Sequence, residues 1–166
     1  MKKPTVLITA GASLLTLAIA TAIASQKVED YGSLASAEID MANAASIAYQ
    51  HSAGTIIEAE LEKDDGSLIW EVEMVDELNN LIKFDIDGMS GEILSTRIDN
   101  DSETNYVDAI TLNAALELIS PIEQGVLIEA ELEQEDGDLV WEFEVVNTDN
   151  KEAEIVVDAV AGVVLQ

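Results

Sequence analysis

The 166-residue sequence contains no cysteine, one histidine, two prolines and only seven aromatic residues. Without cysteine, the chain can form neither disulfide bonds nor a catalytic thiol. His51 belongs to no Ser/His/Asp set and no His-Glu-x-x-His motif, so we predict a surface or C-cap residue near a helix end. A glycine-rich phosphate loop is also lacking. We therefore predict a protein that is not an enzyme, with no catalytic residues, no cofactor and no metal site.

Basic residues are scarce as well. Seven Lys and Arg stand against 34 Asp and Glu, which gives a formal net charge of -27 at pH 7. Such a charge repels nucleic acids and anionic membrane surfaces, so neither is expected as a partner. It fits a partner protein with a basic surface, and the alternative is a salt-tolerant solvated surface with no partner.

The N-terminal segment is typical of an export signal. Two lysines precede an uncharged run from Val6 to Ala24, and Ala22-Ile23-Ala24 has the small-x-small pattern of a cleavage site. We predict a signal peptide over residues 1–24, cleaved near Ala24/Ser25, and a periplasmic or secreted protein without a stable membrane anchor. An uncleaved anchor helix is the alternative, since the run approaches the roughly 20 residues that span a bilayer.

The remaining chain contains the same unit twice, with an offset of 71 residues and no insertion or deletion. Residues 54–73 return as residues 125–144 with nearly the same pattern. A repeat of this length predicts two small domains in tandem. The predicted segments after the signal peptide are an N-terminal linker 25–38, domain 1 at 39–95, a linker 96–109 and domain 2 at 110–166.

Each unit is predicted to be one helix followed by four antiparallel strands. Asp40 and Thr111 are good N-cap residues ahead of helically spaced apolar positions. After a glycine, apolar residues alternate with glutamates, which predicts strands with one buried face. Asp65-Gly66 and Asp136-Gly137 predict hairpin turns between the first two strands. The predicted fold class is α+β, with each helix packed on its own four-stranded sheet.

This order of elements resembles the PepSY domain of peptidase propeptides and a spore-germination protein. The resemblance rests on the capped helix, a glycine, the Ile-Glu-Ala-Glu-Leu-Glu strand, Asp-Gly, a central tryptophan and an Asp-x-x-x-Gly-x-Ile/Val-Leu ending. These pieces are Gly54, Ile57 to Glu62, Asp65-Gly66, Trp70 and Asp87 to Leu94, and then Gly125, Ile128 to Glu133, Asp136-Gly137, Trp141 and Asp158 to Leu165. The resemblance implies a module without catalytic residues that restrains or chaperones a peptidase. No peptidase follows in this sequence, so any such action would be in trans.

Two acidic turns are the candidates considered for a cation. Residues 64–67 and 135–138 carry carboxylates beside a glycine. A helical calcium loop needs ligands at alternate positions and a glutamate at position 12, which neither turn supplies. Hairpin geometry explains the Asp-Gly pairs by itself, and loose condensation of cations on the acidic surface is the expected behaviour.

Glutamates are predicted to line one face of each hairpin. They are Glu58, Glu60, Glu62, Glu71 and Glu73 in the first unit, and Glu129, Glu131, Glu133, Glu142 and Glu144 in the second. Like charges opposite each other on neighbouring strands are destabilising, so our hypothesis is that these residues meet a basic partner. The alternative is that the general acidity of the protein occupies its exposed faces.

The predicted function is that of an exported protein-binding module. It would restrain or chaperone a secreted or envelope peptidase, or another envelope enzyme, through its acidic residues or an edge strand. The alternative is an acidic cation-binding or sensor-accessory envelope protein with no peptidase target. Trp70 and Trp141 lie in phase with the inward residues, which favours core positions over an exposed binding site.

Overall fold

The structure, a computed structural model, describes residues 31–99, 109–120, 122, 124–135 and 137–165. The predicted signal peptide and most of the predicted linker 96–109 lie outside these residues. Among the helices that are described, none is long and apolar enough to cross a membrane.

The described elements follow the predicted order in both repeats. The first repeat contains α1 (Tyr31–Leu34), α2 (Met41–His51), β1 (Thr55–Asp64), β2 (Ser67–Val75), β3 (Leu81–Asp87) and β4 (Ile93–Asp99). The second contains α3 (Leu112–Ile119), β5 (Val126–Glu135), β6 (Asp138–Val146), β7 (Glu152–Asp158) and β8 (Val163–Val164). The short helix α1 falls in the segment predicted as linker 25–38, and its Leu34 is buried in the core.

All eight strands form one antiparallel sheet in the order β4-β3-β2-β1-β5-β6-β7-β8. The prediction of an α+β fold with antiparallel strands is confirmed, but the prediction of two separate four-stranded sheets is wrong. In an isolated unit β1 would be an edge strand with a row of unpaired backbone groups. Pairing with β5 satisfies the part of that row at residues 58–60 and makes β1 and β5 interior strands of the sheet.

The seam between the repeats is short and symmetric. Ala59 of β1 lies opposite Ala130 of β5, which is its own counterpart in the repeat, and two glutamate pairs flank them. This register generates a pseudo-twofold axis that relates the first repeat to the second.

The two long helices begin at the predicted cap residues. The Asp40 side chain accepts a hydrogen bond from the Asn43 backbone N–H at 2.8 Å, and Thr111 accepts one from Ala114 at 3.3 Å. Each bond satisfies one of the free amides of a first helical turn. The N-cap predictions are therefore confirmed, and α2 and α3 lie side by side in contact with each other.

The buried apolar side chains of both repeats form one contiguous cluster between the helices and the sheet. Trp70 and Trp141 are 1% and 0% exposed. Their indole N–H groups donate to the Ile39 and Ile110 carbonyls at 2.8 and 3.0 Å. The core prediction for both tryptophans is confirmed, and the shared cluster helps repeats that would each be too small to bury much surface alone.

A β-bulge interrupts the alternation at the start of β1. The register shifts between Ile56 and Glu58, so Ile56 rather than Ile57 is fully buried, opposite Met74. The same shift occurs in β5 between Leu127 and Glu129. Ile57 is half-buried and packs against the core cluster beside Ile56, and the bulge leaves the glutamates on the opposite face.

The hairpin turn of the first repeat takes the predicted form. Asp65 and Gly66 have φ angles of 47° and 89°, in the region that favours glycine and tolerates aspartate. Ser67 then begins β2 directly.

Candidate functional site

The ten predicted glutamates lie together on the side of the sheet away from α2 and α3. We call this surface the acidic face, and it is carried by the four central strands β2, β1, β5 and β6. Its members are Glu58, Glu60, Glu62, Glu71, Glu73, Glu129, Glu131, Glu133, Glu142 and Glu144. The sequence predicted two separate rows of five, and the seam joins them into one surface.

Strand pairing aligns these carboxylates in two rows that cross the seam. The first row runs through Glu73, Glu58, Glu131 and Glu142. The second row runs through Glu71, Glu60, Glu129 and Glu144. Neighbouring strands lie roughly 4.8 Å apart, so each carboxylate has at least one like charge beside it, and the four on β1 and β5 have one on either side.

Most of these glutamates are half-buried. Glu73 is the extreme case at 8% exposed, and Glu58, Glu60 and Glu129 are intermediate. A dense row of long side chains on a pleated surface excludes water from its own members. The rows therefore combine partial burial with mutual repulsion.

Both effects favour the protonated form of the carboxyl groups at the seam. The pKa of Glu58 and that of Glu129 are raised from 4.5 to about 7, chiefly by burial and then by neighbouring carboxylates. Burial and the Glu133 side chain raise the pKa of Glu142 to about 7. The pKa values of Glu60, Glu131 and Glu144 are raised too, again with burial as the first cause. The acidic face thus holds protons more tightly than exposed glutamates do.

Basic partners lie at one end of the acidic face, on β3 and β4. The Lys83 ammonium contacts Glu73 and lies 3.7 Å from Glu71. The Arg97 guanidinium lies 3.2 Å from Glu71 and 3.1 Å from Asp85. The described strands β5 to β8 carry no lysine or arginine, and the counterpart of Lys83 is Glu154. The carboxylates in the second half of the acidic face therefore have no basic side chain beside them on the described strands.

The other residues singled out in the sequence lie away from this surface. His51 is exposed at the end of α2, where its Nδ1 lies 2.9 Å from the Ile47 carbonyl oxygen. This confirms the predicted surface position. Within the described residues, no group of three or more His, Cys, Asp or Glu side chains has an arrangement that could hold a metal ion.

Two features of the site could not be predicted from the sequence, namely the β1–β5 seam and the identity of the edge strands. The β1–β5 seam consists of backbone hydrogen bonds, which leave no side-chain signature, although two small residues at its centre are compatible with it. The edge strands of the described sheet are β4 and β8, and β1 and β5 are interior strands that pair with each other over three positions.

Comparison with known proteins identifies the repeated unit. The PepSY family, described as the peptidase propeptide and YPEB domain, matches twice, over residues 38–97 and 106–165. The chain therefore belongs to the PepSY family and contains two PepSY units in tandem, which confirms the resemblance seen in the sequence. PepSY units are in general non-catalytic modules of the propeptide or regulatory type, and they occur in exported proteins.

Two solved structures are similar to this chain. One is a candidate lipoprotein from Clostridium difficile 630, 22% identical, with 78% of this chain and 92% of that chain covered and a TM-score of 0.47. The other is the YpmB protein from Bacillus subtilis, 14% identical, with 74% and 92% covered and a TM-score of 0.35. No curated protein matches the sequence.

Proposed function

We propose that this protein is a non-enzymatic binding module that restrains or chaperones a secreted or envelope peptidase, or another envelope enzyme, in trans. The observation that carries the proposal is the acidic face, which spans four adjacent strands and has no lysine or arginine on the described strands of its second half. Family membership supports the peptidase target, because PepSY units are found in peptidase propeptides. Export through a signal peptide cleaved near Ala24/Ser25 is part of the same proposal.

The acidic face would act first on the rate of encounter. A surface with one sign of charge attracts a partner of opposite sign and raises the association rate, in a manner that salt weakens. The raised pKa values add a second effect, because a basic partner would lower them and draw protons off the rows on binding. Binding would therefore release protons near pH 7.

Charge reversal in the second repeat tests this proposal cleanly. Glu142 and Glu144 have no lysine or arginine beside them on the described strands, whereas Glu71 and Glu73 pair with basic residues. The double variant Glu142→Lys, Glu144→Lys thus changes the potential of the acidic face without breaking ion pairs. Glu77→Lys, Glu92→Lys is the matched control, because both residues are exposed and lie in turns outside the strands.

The experiment has a capture step and an activity step. The purified protein captures partners from an envelope extract in about 0.15 M salt, with a wash at about 0.3 M. A captured peptidase is then assayed with and without the protein. We expect the protein to inhibit the peptidase or to improve its refolding. The concentration needed for this effect should rise at least about tenfold in the double variant Glu142→Lys, Glu144→Lys and stay the same in the control. Equal effects of the two double variants would contradict the use of the acidic face.

Cation binding or a sensor-accessory role is the second candidate. The closely spaced carboxylates across the seam favour loose condensation of cations, which would relieve their repulsion, although no described group of them has the arrangement of a metal site. A calorimetric titration with calcium separates the peptidase-binding function from the cation-binding or sensor-accessory function. A saturating stoichiometry at sub-millimolar calcium, together with no peptidase capture, would favour the second.

A further inference from the structure

A cavity of about 750 Å³ lies on the helix side of the sheet, near the start of α2 and the end of α3. Leu61, Trp70 and Met41 form its apolar floor, and α1 borders it through Leu34. The volume falls within the roughly 300–1,000 Å³ that is typical of sites for small molecules. It lies on the opposite side of the sheet from the acidic face.

The pseudo-twofold axis shows why this space is open. In the first repeat Tyr49 fills the equivalent position, with its hydroxyl beside the backbone of Ile56 and of Leu112. The counterparts of these three residues are Ser120, Leu127 and Met41, and all three line the cavity. Serine in place of tyrosine removes a phenol ring from α3. The cavity therefore includes the space that an aromatic side chain at position 120 would fill, and it is larger than one such side chain.

The polar atoms of the cavity define what else an occupant needs. The Asn113 side-chain oxygen is buried and makes no hydrogen bond within the described part of the chain. Asn113 lines the cavity, so a donor brought by an occupant would satisfy that oxygen. Asp40 and Glu117 also border the cavity, and they repel an anion in a protein whose net charge is already -27.

We propose that this cavity binds a small aromatic molecule that carries a neutral or cationic hydrogen-bond donor. The ring takes the place that Tyr49 occupies in the first repeat and packs against Trp70. The donor reaches Asn113, and a cationic group faces Asp40 and Glu117. This site is independent of the acidic face and of the function proposed for it.

Tyramine is the probe, and nuclear magnetic resonance of the two tryptophan indole N–H groups is the readout. Trp70 lines the cavity and Trp141 does not, so the protein contains its own reference signal. We expect a saturable shift of the Trp70 signal with no shift of the Trp141 signal. The anion 3-(4-hydroxyphenyl)propionate, which has a similar ring, should bind at least about tenfold more weakly.

Filling the cavity should abolish the response. Ser120→Tyr restores the residue type found at position 49, and Ala42→Trp adds a ring from an exposed position on α2 that also borders the cavity. Because Ala42 is exposed, this second variant keeps the test open if Ser120→Tyr does not fold. Asn113→Ala should weaken tyramine binding at least about threefold. The absence of a saturable Trp70 shift, or an undiminished shift in a folded cavity-filling variant, would overturn the proposal.

Discussion

The two PepSY repeats share the main features of their buried side, apart from the exchange of Tyr49 for Ser120, and differ more on their solvent side. Both bury a tryptophan under a capped helix, and both donate its indole N–H to a carbonyl 31 residues earlier. On the acidic face, by contrast, the first repeat carries Lys83 and Arg97 and the second carries Glu154. β4 has seven residues and β8 has two, so Arg97 has no counterpart on the last described strand. Packing constrains one side of the sheet, and the other side is free to acquire a one-sided charge.

The largest expected loss of stability comes from replacing the two core tryptophans, and it tests whether the buried side of the sheet is equivalent in both repeats. Trp70→Ala and Trp141→Ala should each cost about 3–5 kcal/mol, because each leaves a cavity in the core. Trp70 borders the open cavity, so its replacement should cost less than that of Trp141. Urea unfolding of both variants measures the difference. Because the repeats share one sheet and one core, a single transition is expected in each, and two separate transitions would contradict that view.

A smaller effect concerns pH and arises at the seam. The carboxyls of Glu58, Glu129 and Glu142 hold protons more tightly in the folded chain than in the unfolded chain, since their pKa values are raised to about 7. Their contribution to the free energy of unfolding is therefore greatest below about pH 4.5 and is lost as pH rises to about 7. After allowance for solvent screening, we expect each to contribute about 1 kcal/mol.

At acidic pH the free energy of unfolding is expected to fall as pH falls. The pKa values of Asp76, Asp87 and Asp158 are lowered by hydrogen bonds within their turns, so their stabilisation is lost as pH falls below their ordinary value of 3.8. Maximum stability is expected at about pH 4, between the two ranges. Urea midpoints at about pH 5 and 8, at constant ionic strength, measure the effect. The triple variant Glu58→Gln, Glu129→Gln, Glu142→Gln should flatten it, and a wild-type protein that is more stable at about pH 8 would contradict it.

Exchange of the residues that differ between the repeats should make the two halves alike. Lys83→Glu gives the first repeat the residue of the second and removes two ion pairs, with an expected cost of about 1–2 kcal/mol.

The reciprocal change, Glu154→Lys, should stabilise by about 0.5–1 kcal/mol, because it places an ammonium beside Glu144 on β6. Thermal unfolding of both variants in low and high salt measures the pair. If Glu154→Lys were destabilising at low salt, the repulsion we assign to the second half would be absent.

Local patterns were sufficient to predict each repeat. The caps at Asp40 and Thr111 and the turn at Asp65-Gly66 depend on short-range geometry that the sequence states directly. The seam could not be predicted, because backbone pairing between β1 and β5 requires no particular side chains. The bulge at Ile57 was hidden for a related reason, since two consecutive isoleucines fit either register.

The sequence predicted which glutamates form the candidate site but not that they form one continuous surface. Alternation placed each set of five glutamates on one side of its own hairpin, but only the seam brings Glu58 opposite Glu131. The cavity was missed because its cause is a difference between repeats, tyrosine at position 49 and serine at position 120. Comparison of the two repeats residue by residue could have found that signal.

The most direct test of the single eight-stranded sheet is a carboxyl titration of Glu58 by nuclear magnetic resonance. Glu73, Glu131, Glu60 and Lys83 all act on this group, and Glu131 belongs to the other repeat. We predict a pKa of about 7 for Glu58, lowered in Glu131→Gln and unchanged in Glu62→Gln, a control on the same strand. A pKa near 4.5 that does not respond to Glu131→Gln would contradict the seam and, with it, the continuous acidic face.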